Sequence, residues 1–201
     1  MTQTNAAAPV LPPPPLPIRT ERLVLRHIRV EDQPDMHYYR DPEVCRYLPI
    51  GPLDDEGMAK RMERLAAARS PSVPDDVLGL AVELDERVIG DLMLRLKTRR
   101  DESSPPSVAE IGWVFGSAHQ GKGLATEAAR ALVDLAFESY PLHRLFAQLD
   151  PRNGPSVRLC ERLGMTREAH FRRDFPEKDG TWGDTGIHGL LREEWEAARS
   201  R

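Results

Sequence analysis

The chain has 201 residues, 40% of them hydrophobic, which suffices for one domain with a sizeable core. Its 28 Lys and Arg against 32 Asp and Glu give a net charge of −4. So slight an acidic excess gives no overall attraction to nucleic acid or to an anionic membrane, and no apolar run approaches the roughly 20 residues of a membrane span. We therefore expect no nucleic-acid partner and no membrane partner.

Cysteine usage and the N-terminus indicate the compartment. Cys45 and Cys160 lie far apart, and neither has a His or Cys nearby at metal-ligand spacing. This argues against a disulfide framework and a zinc site, so we expect no metal. The N-terminus lacks the basic start and apolar stretch of a secretory signal. We therefore predict a cytoplasmic protein.

Residues 1–17 form a proline-rich segment with four consecutive prolines, Pro12 to Pro15. Proline fixes φ and lacks a backbone donor, so we expect an extended or disordered tail. Such a tail could also dock into an aromatic groove. We place a single folded domain at residues 18–201.

Hydrophobic periodicity predicts strands and helices in an irregular order. Strands are predicted at 22–26, 77–84, 87–97, 108–115, 144–149, 165–172 and 183–191. Helices are predicted at 31–40, 54–69, 121–138 and 155–163. Residues 98–107 contain Pro105-Pro106 and are predicted to form a loop. The intermixed elements and an early hairpin turning at Asp85-Glu86 predict an α+β fold with a mixed sheet.

A glycine-rich loop joins the strand at 108–115 to the following helix. Gly121 and Gly123 remove Cβ atoms that would hold an anion away from the backbone. The next helix offers unpaired N–H groups and the positive end of its dipole, so the loop is suited to a pyrophosphate. Two alternatives remain: an ordinary strand-to-helix turn, and a P-loop. The P-loop pattern starts at Gly116 but has Gly123 where Ser or Thr should hold Mg²⁺.

The segment Gln120-Gly-Lys-Gly-Leu-Ala125 resembles the cofactor motif of the GNAT acetyltransferase superfamily. More narrowly, the chain resembles the RimJ/RimL type, which acetylates protein N-termini. Other stretches agree with that type in family order, over roughly residues 18–195. They are Thr20–Arg26, Asp41–Val44, Asn153–Ser156 with Leu163–Met165, and Leu190–Trp195.

The resemblance implies a GNAT-like fold with about seven strands in a mixed, largely antiparallel sheet, splayed at the central strand and flanked by about four helices. It also implies that acetyl-CoA, the acyl donor, sits in the splay. Its pyrophosphate would contact backbone N–H groups at about 121–126, and its pantetheine would pair like an extra strand with residues 113–115. The implied donor-binding residues are Trp113, Val114, Phe115, Gln120, Gly121, Lys122, Gly123, Leu124, Ala125, Thr126, Asn153 and Ser156.

Acyl transfer to an amine calls for a proton acceptor, a proton donor and good positioning. Asn153 and Ser156 are three residues apart, so at helical spacing they face the same way and would face the donor if the helix packs as in the family. Ser156 could then protonate the departing sulfur. Alternatively, Asn153 caps the helix and Ser156 fills an ordinary first-turn position.

Glu110 on the strand before the loop is the candidate base; a surface or salt-bridged glutamate is the alternative. Asp174 and Asp184 are rival bases or binders of a cationic substrate. His119 has a suitable ordinary pKa but lies beside the predicted phosphate site, where a loop role fits better.

These observations predict an N-acyltransferase that moves an acetyl group from CoA to a primary amine, a protein N-terminus, through a ternary complex. Alternatives are a small-molecule amine such as an aminoglycoside or polyamine, a non-acetyl acyl-CoA, and a non-catalytic CoA-binding module. Residues 40–60 and 172–185 would build the acceptor cleft, and the acidic residues there favour a cationic acceptor. We expect a monomer or a homodimer.

Overall fold

The computed structural model describes residues 13–69, 77–97 and 107–200. Within these ranges it has the following strands: β1 Ile18–Arg19, β2 Val24–His27, β3 Val77–Leu84, β4 Arg87–Lys97, β5 Val108–Phe115, β6 Arg144–Leu149, β7 Thr166–Pro176 and β8 Trp182–Leu191. The helices there are α1 Pro42–Cys45, α2 Asp55–Ala67, α3 Leu124–Ser139, α4 Gly154–Arg162 and α5 Arg192–Arg199. Most of the predicted tail and of the predicted 98–107 loop lies outside the described residues.

The strands of the described chain form one sheet in the order β1-β2-β3-β4-β5-β6-β8-β7. Every neighbouring pair is antiparallel except β5 and β6. The predicted mixed, largely antiparallel sheet is therefore confirmed. It has eight strands rather than about seven, because the two-residue β1 pairs with β2 at the sheet edge.

The sheet splays between β5 and β6. Their parallel register covers only Val108–Glu110 against Arg144–Phe146. Beyond Glu110, β5 continues to Phe115 paired with β4, and β6 continues to Leu149 paired with β8. The two strands therefore diverge toward their C-terminal ends, as expected from the family resemblance.

Helices cover the sheet on both faces. Helix α3 buries Leu124, Ala128, Leu132 and Leu135 in a cluster that includes Leu92 of β4. Helix α2 buries Met58 and Met62 in a second cluster with Tyr39. Because these faces are apolar at helical spacing, burial holds both helices on the sheet.

Two predicted helices differ in detail from the structure, and one helix was not predicted. The helix predicted at 31–40 is two 3₁₀ turns, Val30–Asp32 and Met36–Arg40, separated by Pro34, which has no N–H to continue the ladder. Helix α3 starts at Leu124, not at residue 121, because the preceding glycines have positive φ. Helix α5 was not predicted; its first turn is held by the Leu191 N–H donating to Glu194 Oε2 at 2.8 Å. Within the described ranges, no helix is both long and apolar enough to cross a membrane.

Candidate active site

The loop between β5 and α3 presents backbone N–H groups at a helix start. Gly121 and Gly123 have φ values of +74° and +78°, a region that other residues rarely adopt. Gly123 is the N-cap of α3 and has no side chain to cap the helix. The helical ladder begins where the Glu127 N–H donates to the Gly123 carbonyl at 3.0 Å. The N–H groups of residues 124–126 precede this bond, so they are the free donors of a helix N-terminus.

No part of the described chain crowds the positions that side chains would take at the two loop glycines. A Cβ at Gly121 would meet no heavy atom within 4 Å, and one at Gly123 would meet only Arg22 Nη2, at 3.6 Å. The two glycines are thus required by their backbone angles rather than by crowding. Lys122 between them is exposed. Gln120 is engaged within the loop, since its Nε2 donates to the Phe115 carbonyl at 3.2 Å.

The splay leaves one backbone edge of β5 without a neighbouring strand. Residues 111–115 pair with β4 on one side, whereas the other side has no strand partner among the described residues. An unpaired edge is a template for an extended ligand that carries amide groups. The edge includes Trp113, Val114 and Phe115 and leads directly into the glycine loop. This arrangement suits the amides of a pantetheine arm followed by a pyrophosphate.

Ser156 lies in the first turn of α4, which follows β6 across the splay. The Asn153 side chain caps this helix by accepting from the Ser156 N–H at 3.2 Å. Trp113 of β5 donates from Nε1 to Ser156 Oγ at 3.2 Å. The capping alternative for Asn153 is therefore present, but it leaves the Ser156 hydroxyl free. Since that oxygen accepts from the indole, its own proton is available to donate elsewhere.

Glu110 lies where the splay begins. It is the last residue of β5 paired with β6, opposite Phe146, and Arg95 Nη1 contacts its Oε2 at 3.3 Å. The salt-bridged alternative is thus also present. Successive residues of a strand alternate between faces, so Glu110 and Trp113 lie on opposite faces of β5. Glu110 and Ser156, which contacts Trp113, therefore approach the splay from opposite sides of the sheet.

The other candidate residues have different environments. Asp184 accepts from the Arg173 N–H at 2.9 Å and pairs with His170 Nε2 at 2.6 Å, and both contacts lower its pKa. Asp174 is exposed on β7. His119 Nδ1, beside the glycine loop, is buried and has no hydrogen-bond partner among the described residues. Burial raises the pKa of Cys160 to about 12, which fits a core residue.

A cavity of about 360 Å³ lies between the two segments expected to form the acceptor cleft. Its lining residues are Arg46, Tyr47, Arg152, Glu177, Lys178, Asp179 and Thr181. Three cations and two carboxylates line it, and Arg152 bridges Asp150 and Glu177. The expected acidic rim is therefore largely neutralised by the chain's own partners. This removes the electrostatic reason to expect a cationic acceptor.

The acidic residues that were expected to favour a cationic acceptor have partners within the chain. Asp55 pairs with Arg40 and Glu56 with Lys60, both at 2.5 Å. Asp54 accepts from the Gly57 N–H at 2.8 Å, and Asp179 accepts from Thr181 Oγ1 at 2.6 Å. Among the described residues, no group of three or more His, Cys, Asp or Glu side chains could hold a metal ion.

Known proteins resemble this chain in sequence and in fold. The sequence-family model described as the acetyltransferase (GNAT) domain matches residues 22–166 of this chain. The Bacillus subtilis protein named uncharacterized N-acetyltransferase YnaD is 30% identical over 179 residues, which is 89% of this chain and 98% of that protein. The Escherichia coli [ribosomal protein uS5]-alanine N-acetyltransferase is 33% identical over 89 residues, 44% of this chain and 45% of that enzyme.

The fold has a solved counterpart of the same family. The crystal structure of a GNAT-family acetyltransferase from Bacillus anthracis has a TM-score of 0.75 and 29% identity, covering 89% of this chain and all of that one. The family match spans most of the folded chain and includes β5, the glycine loop and α4. The chain is an N-acetyltransferase and belongs to the GNAT family of acetyltransferases.

Proposed function

We propose that the protein is of the RimJ/RimL type and transfers an acetyl group from acetyl-CoA to a protein N-terminus in a ternary complex. The observation that carries the donor assignment is the unpaired edge of β5 leading into the uncapped start of α3. The edge offers amide partners to pantetheine, and the glycine loop offers N–H donors to the pyrophosphate. A donor bound this way would place its thioester in the splay between Glu110 and Ser156.

The two candidate catalytic residues then divide the proton transfers. The amine attacks the thioester carbonyl, a C–N bond forms, the C–S bond breaks, and the nitrogen loses a proton while the sulfur gains one. Glu110 accepts the proton from the amine, directly or through a water. Ser156, whose oxygen accepts from Trp113, donates to the departing sulfur and regains its proton from solvent. Positioning both substrates supplies much of the remaining acceleration.

The acceptor assignment rests on a different observation. The 33% identity to a ribosomal-protein alanine N-acetyltransferase supports a protein N-terminus. A small amine remains the second candidate, because the cavity of about 360 Å³ between α1 and the β7–β8 turn has the size of a small-molecule site. A CoA-binding module without turnover is less well supported, since Ser156 Oγ, which accepts from Trp113, would have its own proton left to donate to the departing sulfur.

Release of free CoA thiol tests both assignments. The protein is assayed with acetyl-CoA and longer acyl-CoA donors, each against peptides with free or blocked N-termini and against polyamines and aminoglycosides. We expect release with acetyl-CoA and free N-terminal peptides, and none with the matched blocked peptides. Release only with small amines would replace the acceptor, and CoA binding without release with any amine would support the non-catalytic alternative.

A further inference from the structure

The turn before β2 reaches across the molecule to the glycine loop. Arg22 Nη1 donates to the Lys122 carbonyl at 3.1 Å, in the middle of Gly121-Lys122-Gly123. The same guanidinium lies 3.6 Å from where a Cβ of Gly123 would be. Arg22 belongs to the stretch Thr20–Arg26, which resembles the family's opening strand. It is not among the residues proposed to bind the donor or to transfer protons.

Glu127 holds Arg22 in this place. Its Oε1 accepts from Thr20 Oγ1 at 2.5 Å and from the Arg22 N–H at 2.8 Å. Its Oε2 accepts from Arg22 Nε and Nη2, both at 2.7 Å. Burial alone would raise the pKa of Glu127, but these hydrogen bonds lower it overall. The guanidinium is thus held by two contacts to one oxygen of Glu127, and the other oxygen of Glu127 holds the Arg22 backbone.

The contact to Lys122 sets the direction of a neighbouring N–H. The Lys122 carbonyl and the Gly123 N–H belong to one peptide plane, and in a trans peptide the two bonds point in opposite directions. Arg22 holds the carbonyl on its own side, so the Gly123 N–H points away from Arg22. Because Gly123 is a glycine, this peptide plane could otherwise rotate at little cost.

We propose that Arg22 is a positioning residue, which locks the Lys122–Gly123 peptide so that the Gly123 N–H donates to the pyrophosphate of the acyl donor. This inference rests on the proposed donor site. Arg22 acts through the loop and need not touch the donor. Glu127 serves the same purpose by orienting the guanidinium and by balancing its charge beside the helix start.

The test compares two acyl donors that differ in the pyrophosphate. Acetyl-CoA has it, whereas S-acetylpantetheine ends before it and should not depend on the loop. For Arg22→Ala we expect kcat/KM with acetyl-CoA to fall about tenfold, the effect of one hydrogen bond to a charged group, with little change for S-acetylpantetheine. Arg130→Ala is the matched control, because Arg130 also donates to a backbone carbonyl, that of Arg162, away from the loop. It should leave both values unchanged.

Equal losses with both donors would show that Arg22 only stabilises the fold, and an unchanged value with acetyl-CoA would also overturn the proposal. Arg22→Gln, too short to reach Lys122 while bound to Glu127, is the second variant if Arg22→Ala does not fold. For this variant too, kcat/KM with acetyl-CoA is compared with kcat/KM with S-acetylpantetheine. If the wild-type protein transfers acetyl from neither donor to any amine, the proposed function fails instead, which is distinguishable from a failure of the Arg22 assignment.

Discussion

Gly123→Asp tests the pyrophosphate site with a charge of the wrong sign. The substitution adds a carboxylate at the N-cap of α3, where the donor's pyrophosphate is proposed to accept N–H bonds. The new Cβ would lie 3.6 Å from Arg22 Nη2, which is an ordinary contact, so the side chain fits without a clash. Aspartate is also among the residues that best tolerate positive φ, so the variant is expected to fold.

Two effects set the magnitude. A non-glycine residue at the φ of +78° is strained by roughly 1–2 kcal/mol, which acts on stability. A carboxylate within about 5 Å of a phosphate charge is repelled by roughly 3 kcal/mol at an effective dielectric constant of about 20. This corresponds to a loss of about 100-fold in CoA affinity.

Calorimetric titration of CoA into the folded variant measures the affinity, and thermal unfolding measures the strain. Gly123→Ala has the same backbone strain without the charge, so the difference between the two variants gives the effect of the added carboxylate. Gly180→Asp is the remote control, because Gly180 has a φ of +83° and a Cβ there would meet nothing within 4 Å. Unchanged CoA affinity in folded Gly123→Asp would refute the assignment of the loop.

Three further variants test the catalytic and positioning residues. Ser156→Ala should lower kcat about 100-fold with little change in acetyl-CoA affinity; normal turnover with a lower melting temperature would assign Ser156 to structure. Glu110→Gln should lower kcat/KM by about 10²-fold at unchanged CoA affinity, and full activity would move the base elsewhere, Asp174 being the next candidate. Glu127→Gln should lower stability at pH 7 by at most about 1 kcal/mol, because its ion pair with Arg22 is partly exposed. Since the folded pKa of Glu127 is lowered, that difference should be full above the ordinary pKa of a glutamate and should be lost as the pH falls through the lower folded pKa; a difference that persists at still lower pH would contradict the ion-pair role.

Local patterns were sufficient to predict the framework of the site. Strands β3, β4, β5 and β6 begin and end at the predicted residues, because alternating apolar residues and turn residues mark them clearly. The glycine spacing identified the loop, although positive φ at Gly121 delays the start of the helix. The absence of Ser or Thr at position 123 argued against a P-loop, and the family match agrees.

Contacts between distant parts of the chain could not be predicted. Arg22 and Glu127 are 105 residues apart, and Trp113 and Ser156 are 43 apart, so no local period indicates that they meet. The charge of the acceptor rim was misjudged for the same reason. The sequence shows that Glu177 is acidic, but it does not show that Arg152, 25 residues away, forms an ion pair with it. The only local signal for Arg22 was its place in the stretch Thr20–Arg26.

Amide hydrogen exchange with and without CoA tests the donor site most directly, because it measures the individual backbone N–H groups that are proposed to bind the pantetheine and the pyrophosphate. We predict that CoA slows exchange at Trp113 and Phe115, whose N–H groups face the open edge of β5, and at 123–126, at the start of α3, whereas the Val114 N–H faces β4. The β7–β8 turn at Gly180 should be unaffected. CoA binding that protects other segments, while leaving Trp113, Phe115 and 123–126 unchanged, would contradict the account.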